Sequence, residues 1–439
     1  MKIFWVRGFV LHIYWYMSNG EYFLGYCNNV IRRVVLMKTV AIAGTYDSKA
    51  KELTFVKEVL EGVGLNTLTI NCGVFKPEIH TDVKSIDIAA DIGENLVEIA
   101  GKKDRALGTE VMSRAMEKAI PRLYSEGRFD GIISLGGTGG TSLVTPGMRA
   151  LPVGVPKVMV STVASGNVSQ YVGTSDIMMV PSIVDVSGLN SISTRIFTNA
   201  ALAVAGMVNL EHEEKSLTKK PLIAATMFGV TTPCVNMARE YLEEKGYEVL
   251  VFHATGTGGK TMERLIEEGY FVGVLDLTTT EWCDELVGGV LAAGPNRLEA
   301  AGKAKVPQVV SVGALDMVNY GPIDTVPREF KDRNLYKHNP TVTLMRTTVE
   351  ENGQLGEIIS EKLNMTEGPT ALMLPLKGVS MIDAEGQPFY GPAEDQMLFD
   401  VLRKNIDRSR VELIEMDNNI NDEDFALSAA RKLVELIEG

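Results

Sequence analysis

From residue 39 onward, the chain alternates short runs of apolar and β-branched residues with longer amphipathic stretches. The runs 40–43 and 68–71 are predicted strands, and the stretch between them carries Leu53, Val56 and Leu60 at helical spacing. Continuous apolar strands separated by amphipathic helices are typical of parallel sheets that helices cover on both faces. The pattern therefore predicts an α/β fold built on doubly wound parallel sheets.

The same alternation begins again after a densely charged segment, EHEEKSLTKK, at residues 211–220. A chain of 439 residues is longer than one ordinary domain. We therefore predict two similar doubly wound domains, 37–213 and 220–439. The remaining predicted strands are 131–135, 157–161, 222–226, 249–252, 272–277, 308–312, 343–346, 371–375 and 411–415.

Residues 1–36 differ from the rest of the chain. They contain Trp5 and Trp15 and no glycine-rich loop, and their apolar stretch is interrupted by His12. No run in this segment approaches the roughly 18 to 20 apolar residues of a membrane span. We predict that the functional chain begins at Met37 and that residues 1–36 are a leader outside the fold. A peripheral membrane tether is the alternative.

Charge and cysteine content exclude several classes of function. The chain has 43 basic and 56 acidic residues, a formal net charge of -13, and no long basic run, which argues against a nucleic-acid partner. Four cysteines without a CxxC pair indicate neither a disulfide framework nor a cysteine-based zinc site. These features favour a protein of the reducing cytoplasm that does not enter a membrane.

A glycine-rich loop directly follows the predicted strand 131–135. Glycines allow the backbone to approach a ligand closely, and threonine hydroxyls can donate to phosphate oxygens or bind Mg²⁺. The loop matches neither GxGxxG followed by a distant acid nor a Walker A sequence. We predict an anion-binding loop, with a plain flexible turn as the alternative. Its residues are Gly136, Gly137, Thr138, Gly139, Gly140 and Thr141.

Two neighbouring strand ends carry further polar residues. In an open parallel sheet, ligands gather at the carboxyl ends of the strands. Thr45, Asp47 and Lys49 follow the first strand. Asp47 is placed to reach a metal or a ribose, and Lys49 is placed to reach phosphate. For Asp47, a simple helix cap is the alternative. The strand 157–161 ends in a second polar segment. Its candidate residues are Ser161, Thr162, Ala164, Ser165, Gly166 and Asn167.

The second half has its own glycine-rich loop after the strand 249–252. Residues 254–261 match a loose Walker A form that ends in Lys260 and Thr261. His253, Asp276 and Glu281 stand near strand ends and are predicted to form a metal or acid/base cluster. For His253 alone, a hydrogen-bonded loop histidine is an equal alternative. Structural roles are favoured for Asp316 and His338, which have no motif around them.

Several long motifs occur in one order along residues 38–439, and together they resemble the Tm-one-like ATP-binding family. They are GTYDSK, LGGTGGTSL, VPKVMVSTVASG with YVGTSDI, PLIAATMFGVTTPCV, VFHATGTGG, LDLTTTE, GALDMVNYGP and HNPTVTLMRTT. That family comprises bacterial proteins and the amino-terminal domain of a plant resistance protein against tomato mosaic virus. The leader before Met37 has no counterpart in it, and members usually carry arginine where this chain has Lys260.

The resemblance implies two Rossmann-like domains, a homodimer, and ATP with Mg²⁺ bound chiefly at the first domain. Matched by position, it points to Thr45, Asp47, Lys49, the loop 136–141 and residues 161–167 as the nucleotide site. Among these, Asp47 is also our candidate metal ligand, because of its place after the first strand. The plant protein's further carboxyl-terminal barrel is absent from this chain, so antiviral activity is not implied.

Three functions remain open from the sequence. The first is an ATP-dependent enzyme whose second domain, through His253, Asp276 and Glu281, acts on a small metabolite. The second is a non-catalytic ATP-binding regulatory or interaction module, because no unambiguous catalytic signature is present. An NAD-dependent oxidoreductase is the third, and it depends on the doubly wound pattern alone.

Overall fold

A computed structural model describes residues 37–209 and 220–439, together with the backbone of four short strands before residue 23. The chain divides into two compact units, Met1–His212 and Glu213–Gly439. The predicted leader 1–36 and the predicted boundary at 214–219 fall largely outside the described residues. The two units are called unit 1 and unit 2.

Unit 1 contains one five-stranded parallel sheet. From edge to edge the strand order is β2-β1-β3-β4-β5, so the chain starts in the interior of the sheet, winds to one side and then to the other. This order confirms the predicted doubly wound topology. The strands are β1 (Thr39–Gly44), β2 (Asn66–Asn71), β3 (Gly131–Gly136), β4 (Lys157–Ser161) and β5 (Met178–Pro181).

Helices cover both faces of this sheet. Alternate residues of β1 enter different cores: Ala41 and Ala43 pack with residues of α4 and α5, whereas Val40 and Ile42 pack with residues of α1 and α7. Burial on both faces explains why β1 reads as a continuous apolar run. The helices are α1 (Ala50–Gly62), α2 (Ser85–Ala90), α3 (Leu96–Gly101), α4 (Arg105–Ser125), α5 (Thr138–Arg149), α6 (Ser169–Val172) and α7 (Ser191–Asn209).

Helix α7 is the one described helix that is long and apolar enough to cross a membrane by length and composition. Its residues Phe197, Ala201 and Val204 are fully buried in the core beneath β1, β3 and β4. Packing against the sheet therefore accounts for the apolar residues on this face of α7, whereas Ile192 and Leu202 are exposed.

Unit 2 repeats the same order with one more strand. Its six-stranded parallel sheet runs β7-β6-β8-β9-β13-β14, so the first five positions follow the 2-1-3-4-5 pattern of unit 1. The two parallel sheets confirm the prediction of two Rossmann-like domains. The strands are β6 (Leu222–Met227), β7 (Glu248–His253), β8 (Gly273–Thr278), β9 (Gln308–Gly313), β13 (Thr370–Pro375) and β14 (Val411–Met416).

The helices of unit 2 also lie on both faces of the sheet. Ile223 and Ala225 of β6 pack with α8 and α14, whereas Ala224 packs with α9 and α11. The helices are α8 (Thr232–Glu244), α9 (Thr257–Glu267), α10 (Glu281–Val287), α11 (Ala300–Lys303), α12 (Val349–Asn364), α13 (Pro392–Asn405) and α14 (Glu423–Glu438).

Unit 2 has a second, smaller sheet that the sequence did not predict. It consists of three antiparallel strands in the order β10-β12-β11, with bounds β10 (Met317–Tyr320), β11 (Leu335–Asn339) and β12 (Val342–Arg346). The predicted run 343–346 belongs to β12 and is therefore outside the parallel sheet. Because β11 is largely exposed and polar, it lacks the apolar pattern of the other strands.

Candidate functional site

Unit 1 has a cavity of about 650 Å³ at the carboxyl edge of its sheet, where the loops after β1 and β3 diverge. Those two strands are neighbours, and the chain winds away from them in opposite directions. Open α/β sheets bind ligands at such a topological switch point. We call this space the switch-point cavity. Predicted residues that line it are Thr45, Asp47, Lys49, Gly136, Gly137, Thr138, Gly139 and Gly140.

The first turn of α5 forms one wall of the switch-point cavity. The helix begins at Thr138 with Gly137 as its N-cap, and among the described residues no side chain caps it. The first N–H groups of a helix lack partners within the helix, and the helix dipole adds a partial positive charge at this end. The α5 terminus is therefore an anion-binding element.

The glycines of this wall are not required by the packing of the protein. None of Gly137, Gly139 and Gly140 has a positive φ. A Cβ built on any of the three would meet no atom closer than 3.6 Å, which is ordinary van der Waals contact. Their missing side chains therefore leave room in the cavity at the helix terminus.

Charges of both signs surround the switch-point cavity. Lys49, Lys103 and Arg105 supply cations, and the Arg105 guanidinium lies 3.6 Å from the position of a Cβ on Gly139. Asp104 also lines the cavity, and its carboxylate caps α4 by accepting from the N–H groups of Ala106 and Leu107 at 2.9 and 3.1 Å.

Asp47 lies between the loop after β1 and the loop after β2. Its Oδ2 accepts the N–H of Phe75 at 2.9 Å. A Cβ on Gly73 would lie 2.6 Å from the Asp47 carboxylate, so glycine at 73 permits this close approach. Asp47 does not cap α1, whose N-cap residue is Lys49. The carboxylate is held at the cavity by the neighbouring loop.

Other predicted residues of unit 1 lie behind the wall or beyond it. Thr141 and Ser161 are fully buried, and their hydroxyl oxygens are 2.6 Å apart, so they brace α5 against the end of β4. The Asn167 side chain accepts the N–H of Ser169 at 3.0 Å. The predicted residues that do not line the cavity are Thr141, Ser161, Thr162, Ala164, Ser165, Gly166 and Asn167.

Sequence reasoning missed several residues that line the switch-point cavity. Lys103 and Asp104 lie between α3 and α4, Arg105 is the first residue of α4, and Asp185 follows β5. The segment 102–104 joins two helices, so a search of strand ends passes over it. Its signal in the sequence was the charged run KKDR before an amphipathic helix.

The glycine-rich loop of unit 2 already binds an anion, the carboxylate of Glu281. Glu281 Oε1 accepts the N–H groups of Gly256 and Gly259 at 2.7 and 3.0 Å, at the start of α9. Here the packing does require glycine, because a Cβ on Gly259 would lie 2.1 Å from Glu281 and Gly256 has a φ of 78°. The loop also follows the second strand of its sheet, whereas the loop of unit 1 follows the third. The Walker-like residues 254–261 therefore enclose a side chain of the protein, and Lys260 is exposed.

Asp276 and Glu281 are joined by Arg297, which is 1% exposed. The guanidinium donates two hydrogen bonds to Asp276 and one, at 2.8 Å, to Glu281, and it also contacts Glu263. Burial alone lowers the pKa of Arg297, but these carboxylates raise it well above its ordinary value. Burial also raises the pKa of Glu263, and Arg297 opposes that effect.

These contacts do not fit the prediction that His253, Asp276 and Glu281 form a metal or acid/base cluster. Asp276 and Glu281 are closed in a buried ion-pair network, while His253 is exposed and its ring lies 5.3 Å from that of Phe228. Across residues 37–209 and 220–439, no three His, Cys, Asp or Glu side chains are arranged to hold a metal ion. The sequence could not show this, because burial and the distant Arg297 are tertiary features.

Asp316 belongs to a second buried network in unit 2. This position fits the structural role that the sequence favoured. It accepts the Ser380 hydroxyl at 2.8 Å, and it is grouped with Asp383 and Asp395 around Arg346. Burial, together with the neighbouring carboxylates, raises the pKa of Asp383 to about 9. His338 is exposed on β11.

Comparison with known proteins assigns the chain to a family. Residues 38–213 match the N-terminal domain of the Uncharacterised protein family (UPF0261), and residues 220–437 match its C-terminal domain. A UPF0261 protein of Clostridium tetani is 55% identical over 91% of this chain and 99% of its own length. A second, of Rhizobium meliloti, is 44% identical over 90% of this chain and 98% of its own.

A plant relative extends the comparison. The ToMV resistance protein Tm-1(GCR237) of Solanum lycopersicum is 42% identical over 90% of this chain, which spans 55% of the plant protein. Among solved structures, a thioesterase domain from the curacin biosynthetic pathway aligns with 12% identity, over 50% of this chain and 92% of that domain, with a TM-score of 0.23, which is too low to support an argument. Both domain matches and these relatives confirm the resemblance, and the chain belongs to the UPF0261 family.

Proposed function

We propose that unit 1 binds Mg²⁺ and ATP at the switch-point cavity and that the chain is an ATP-dependent enzyme acting on a small metabolite. The observation that carries the proposal is the set of glycines at the start of α5. Neither backbone conformation nor packing explains Gly137, Gly139 and Gly140, whereas a phosphate group against the helix terminus does.

The lining residues have the chemistry that a nucleotide triphosphate requires. The α5 terminus, Lys49, Lys103 and Arg105 would hold the phosphates. Mg²⁺ in nucleotide sites is bound by one or two carboxylates together with phosphate oxygens and water, and Asp47 would supply such a carboxylate. Bound Mg²⁺ would neutralise charge on the phosphates.

A titration calorimeter tests the binding step. ATP and ADP with Mg²⁺ are expected to bind with one site per chain, and NAD, the control for an oxidoreductase, is expected not to bind. Asp47→Asn is expected to weaken the binding of Mg·ATP, whereas in EDTA it should strengthen the binding of ATP, because it removes a carboxylate that repels the phosphates. Equal binding of NAD and ATP would favour the oxidoreductase instead.

Turnover separates the enzyme from a regulatory module. The module is the second candidate because Asp276 and Glu281 are closed in a buried ion-pair network and His253 is exposed, so unit 2 presents no acid/base cluster of these three residues. ADP release is measured with a panel of small metabolites, for the wild type and for His253→Ala. Stimulated release supports the enzyme, and ATP binding without release supports the module.

We further propose that the chain forms a homodimer in the cytoplasm and binds neither nucleic acid nor a membrane.

A further inference from the structure

A second cavity in unit 1 opens beside the switch-point cavity. It has a volume of about 400 Å³ and shares Val74, Phe75 and Ala100 with the switch-point cavity. We call it the side chamber. Because the two spaces share a wall, a ligand in the side chamber would lie next to a ligand in the switch-point cavity.

The side chamber is lined by large apolar side chains that remain exposed. Phe75 is 59% exposed, Val97 66%, Ile86 46% and Ile79 39%. Single exposed apolar residues are normal, but a concentration on one concave surface marks a binding site. An apolar group of a ligand would cover these side chains.

The lysines and the histidine that line the side chamber have no acidic counterpart in the described part of its lining. Lys76, His80 and Lys84 line it, and no carboxylate does so among the described residues. Thr81 is 2% exposed, and within the described part of the chain its hydroxyl has no hydrogen-bond partner. A buried hydroxyl without a partner costs free energy that a ligand oxygen would recover.

We infer that the side chamber binds an organic anion with an apolar body, such as a monocarboxylate, as a second ligand next to the one in the switch-point cavity. The apolar body would contact Phe75, Ile86 and Val97, and the anionic group would meet the lysines and the Thr81 hydroxyl. The inference depends on the proposed function only in naming this ligand as the partner of ATP. It assigns the metabolite to unit 1 and not to the closed network around Glu281 in unit 2.

Calorimetric titration of the full chain with octanoate tests the inference. Octylamine has the same apolar body with the opposite charge, and acetate has the charge without the body. Octanoate is expected to bind at least about tenfold more tightly than either. Equal binding of octanoate and octylamine, or no binding of octanoate, would overturn the inference.

Two variants locate the site. Val97→Asp and the double variant Lys76→Glu with Lys84→Glu are each expected to weaken octanoate binding about tenfold or more. Both variants change exposed residues, so we expect them to fold as the wild type does. Val63→Asp and Lys118→Glu are the controls, because neither residue lines the switch-point cavity or the side chamber, and they are expected to change octanoate binding less than twofold.

Nucleotide binding distinguishes the two proposals. Val97→Asp is expected to leave the Kd for Mg·ATP within about twofold of wild type. If it weakens ATP and octanoate together, and ATP displaces octanoate, the side chamber holds the adenine ring and the inference is overturned. A protein that binds octanoate but not ATP overturns the proposed function and retains the side chamber.

Discussion

Gly139 and Gly259 both lie in the first turn of a helix at the carboxyl edge of a parallel sheet, yet they have different neighbours. A Cβ on Gly139 would have the Arg105 guanidinium as its nearest neighbour at 3.6 Å, whereas a Cβ on Gly259 would lie 2.1 Å from Glu281. The second glycine is explained by packing inside the protein. The first has no such packing reason, and we propose that it leaves room for a bound phosphate.

Gly139→Ala is therefore expected to weaken the binding of Mg·ATP without lowering the stability of the fold. Alanine is favoured over glycine in a helix by up to about 1 kcal/mol, so the free energy of unfolding should stay the same or rise. The added methyl group takes space at the helix terminus. The Kd for Mg·ATP should therefore rise about tenfold or more, which corresponds to a loss of about 1.4 kcal/mol or more of binding free energy. Urea unfolding and calorimetric titration measure the two quantities.

Gly206→Ala is the matched control, because Gly206 lies in α7 with no atom within 4 Å of the added Cβ. It should leave the Kd unchanged. Unchanged ATP binding in Gly139→Ala would contradict a phosphate site at α5.

Arg297→Ala is expected to lower the free energy of unfolding by about 3–5 kcal/mol, because it leaves buried carboxylates without a partner. Arg403→Ala is the control. Its ion pairs with Asp400 and Glu415 are more exposed, and their loss should cost at most about 1 kcal/mol. Chemical denaturation measures both. Similar losses in the two variants would show that the network around Arg297 contributes no more than a surface ion pair.

At the scale of elements, the sequence predicted what a local pattern encodes. The continuous apolar runs marked β1, β3 and β8 because each is buried on both faces of its sheet. Strand β11 was missed because exposed polar residues carry no such pattern. In the site, the glycine-rich segment at the start of α5 could be predicted from its composition. The α3–α4 connection has a charged run, KKDR, but only the folded chain brings that run to the cavity.

The Arg346 cluster joins several elements and makes stability depend on pH. Arg346 lies on β12, Asp395 on α13 and Asp383 after β13. Since the folded pKa of Asp383 is raised to about 9, folded Asp383 keeps a proton that the unfolded chain loses above its ordinary pKa of about 4. Stability should therefore fall as the pH rises from 5 to 9, by up to about 1.4 kcal/mol per pH unit.

The variant Asp383→Asn should flatten this dependence, because an amide does not titrate. Denaturation midpoints between pH 5 and 9 test it. Asp400→Asn, with the Asp400 side chain 59% exposed on α13, is the control and should keep the wild-type slope. A wild-type slope in Asp383→Asn would show that other groups set the pH dependence.

On the scale of the whole molecule, the two units share a strand order and differ in what lies at the carboxyl edge. Unit 1 has an open cavity with an uncapped helix terminus, and unit 2 has a buried ion-pair network. A common order of strands therefore does not predict a common function. Glu281 and Arg297 are central to the network of unit 2, and the glycine-rich loops of the two units follow different strands.

Mg·ATP at one hundred times its Kd is expected to stabilise the chain by about 2.7 kcal/mol, since it binds only the folded state. With EDTA the gain should be smaller, because Asp47 and Asp185 then face phosphate charge without a cation between them. Scanning calorimetry with and without EDTA measures the difference. An equal gain in both conditions would argue against a metal at Asp47.

Because Glu281 supplies the anion at the start of α9, the stability of unit 2 should not depend on small anions in solution. A ligand attached to the chain cannot be diluted or dialysed away, because its effective concentration is set by the fold. Glu281→Ala would turn that built-in ligand into an external one. Unit 2 of this variant should be less stable in buffer free of small anions, and formate or acetate should restore part of the loss in a concentration-dependent manner, whereas the wild type should not respond.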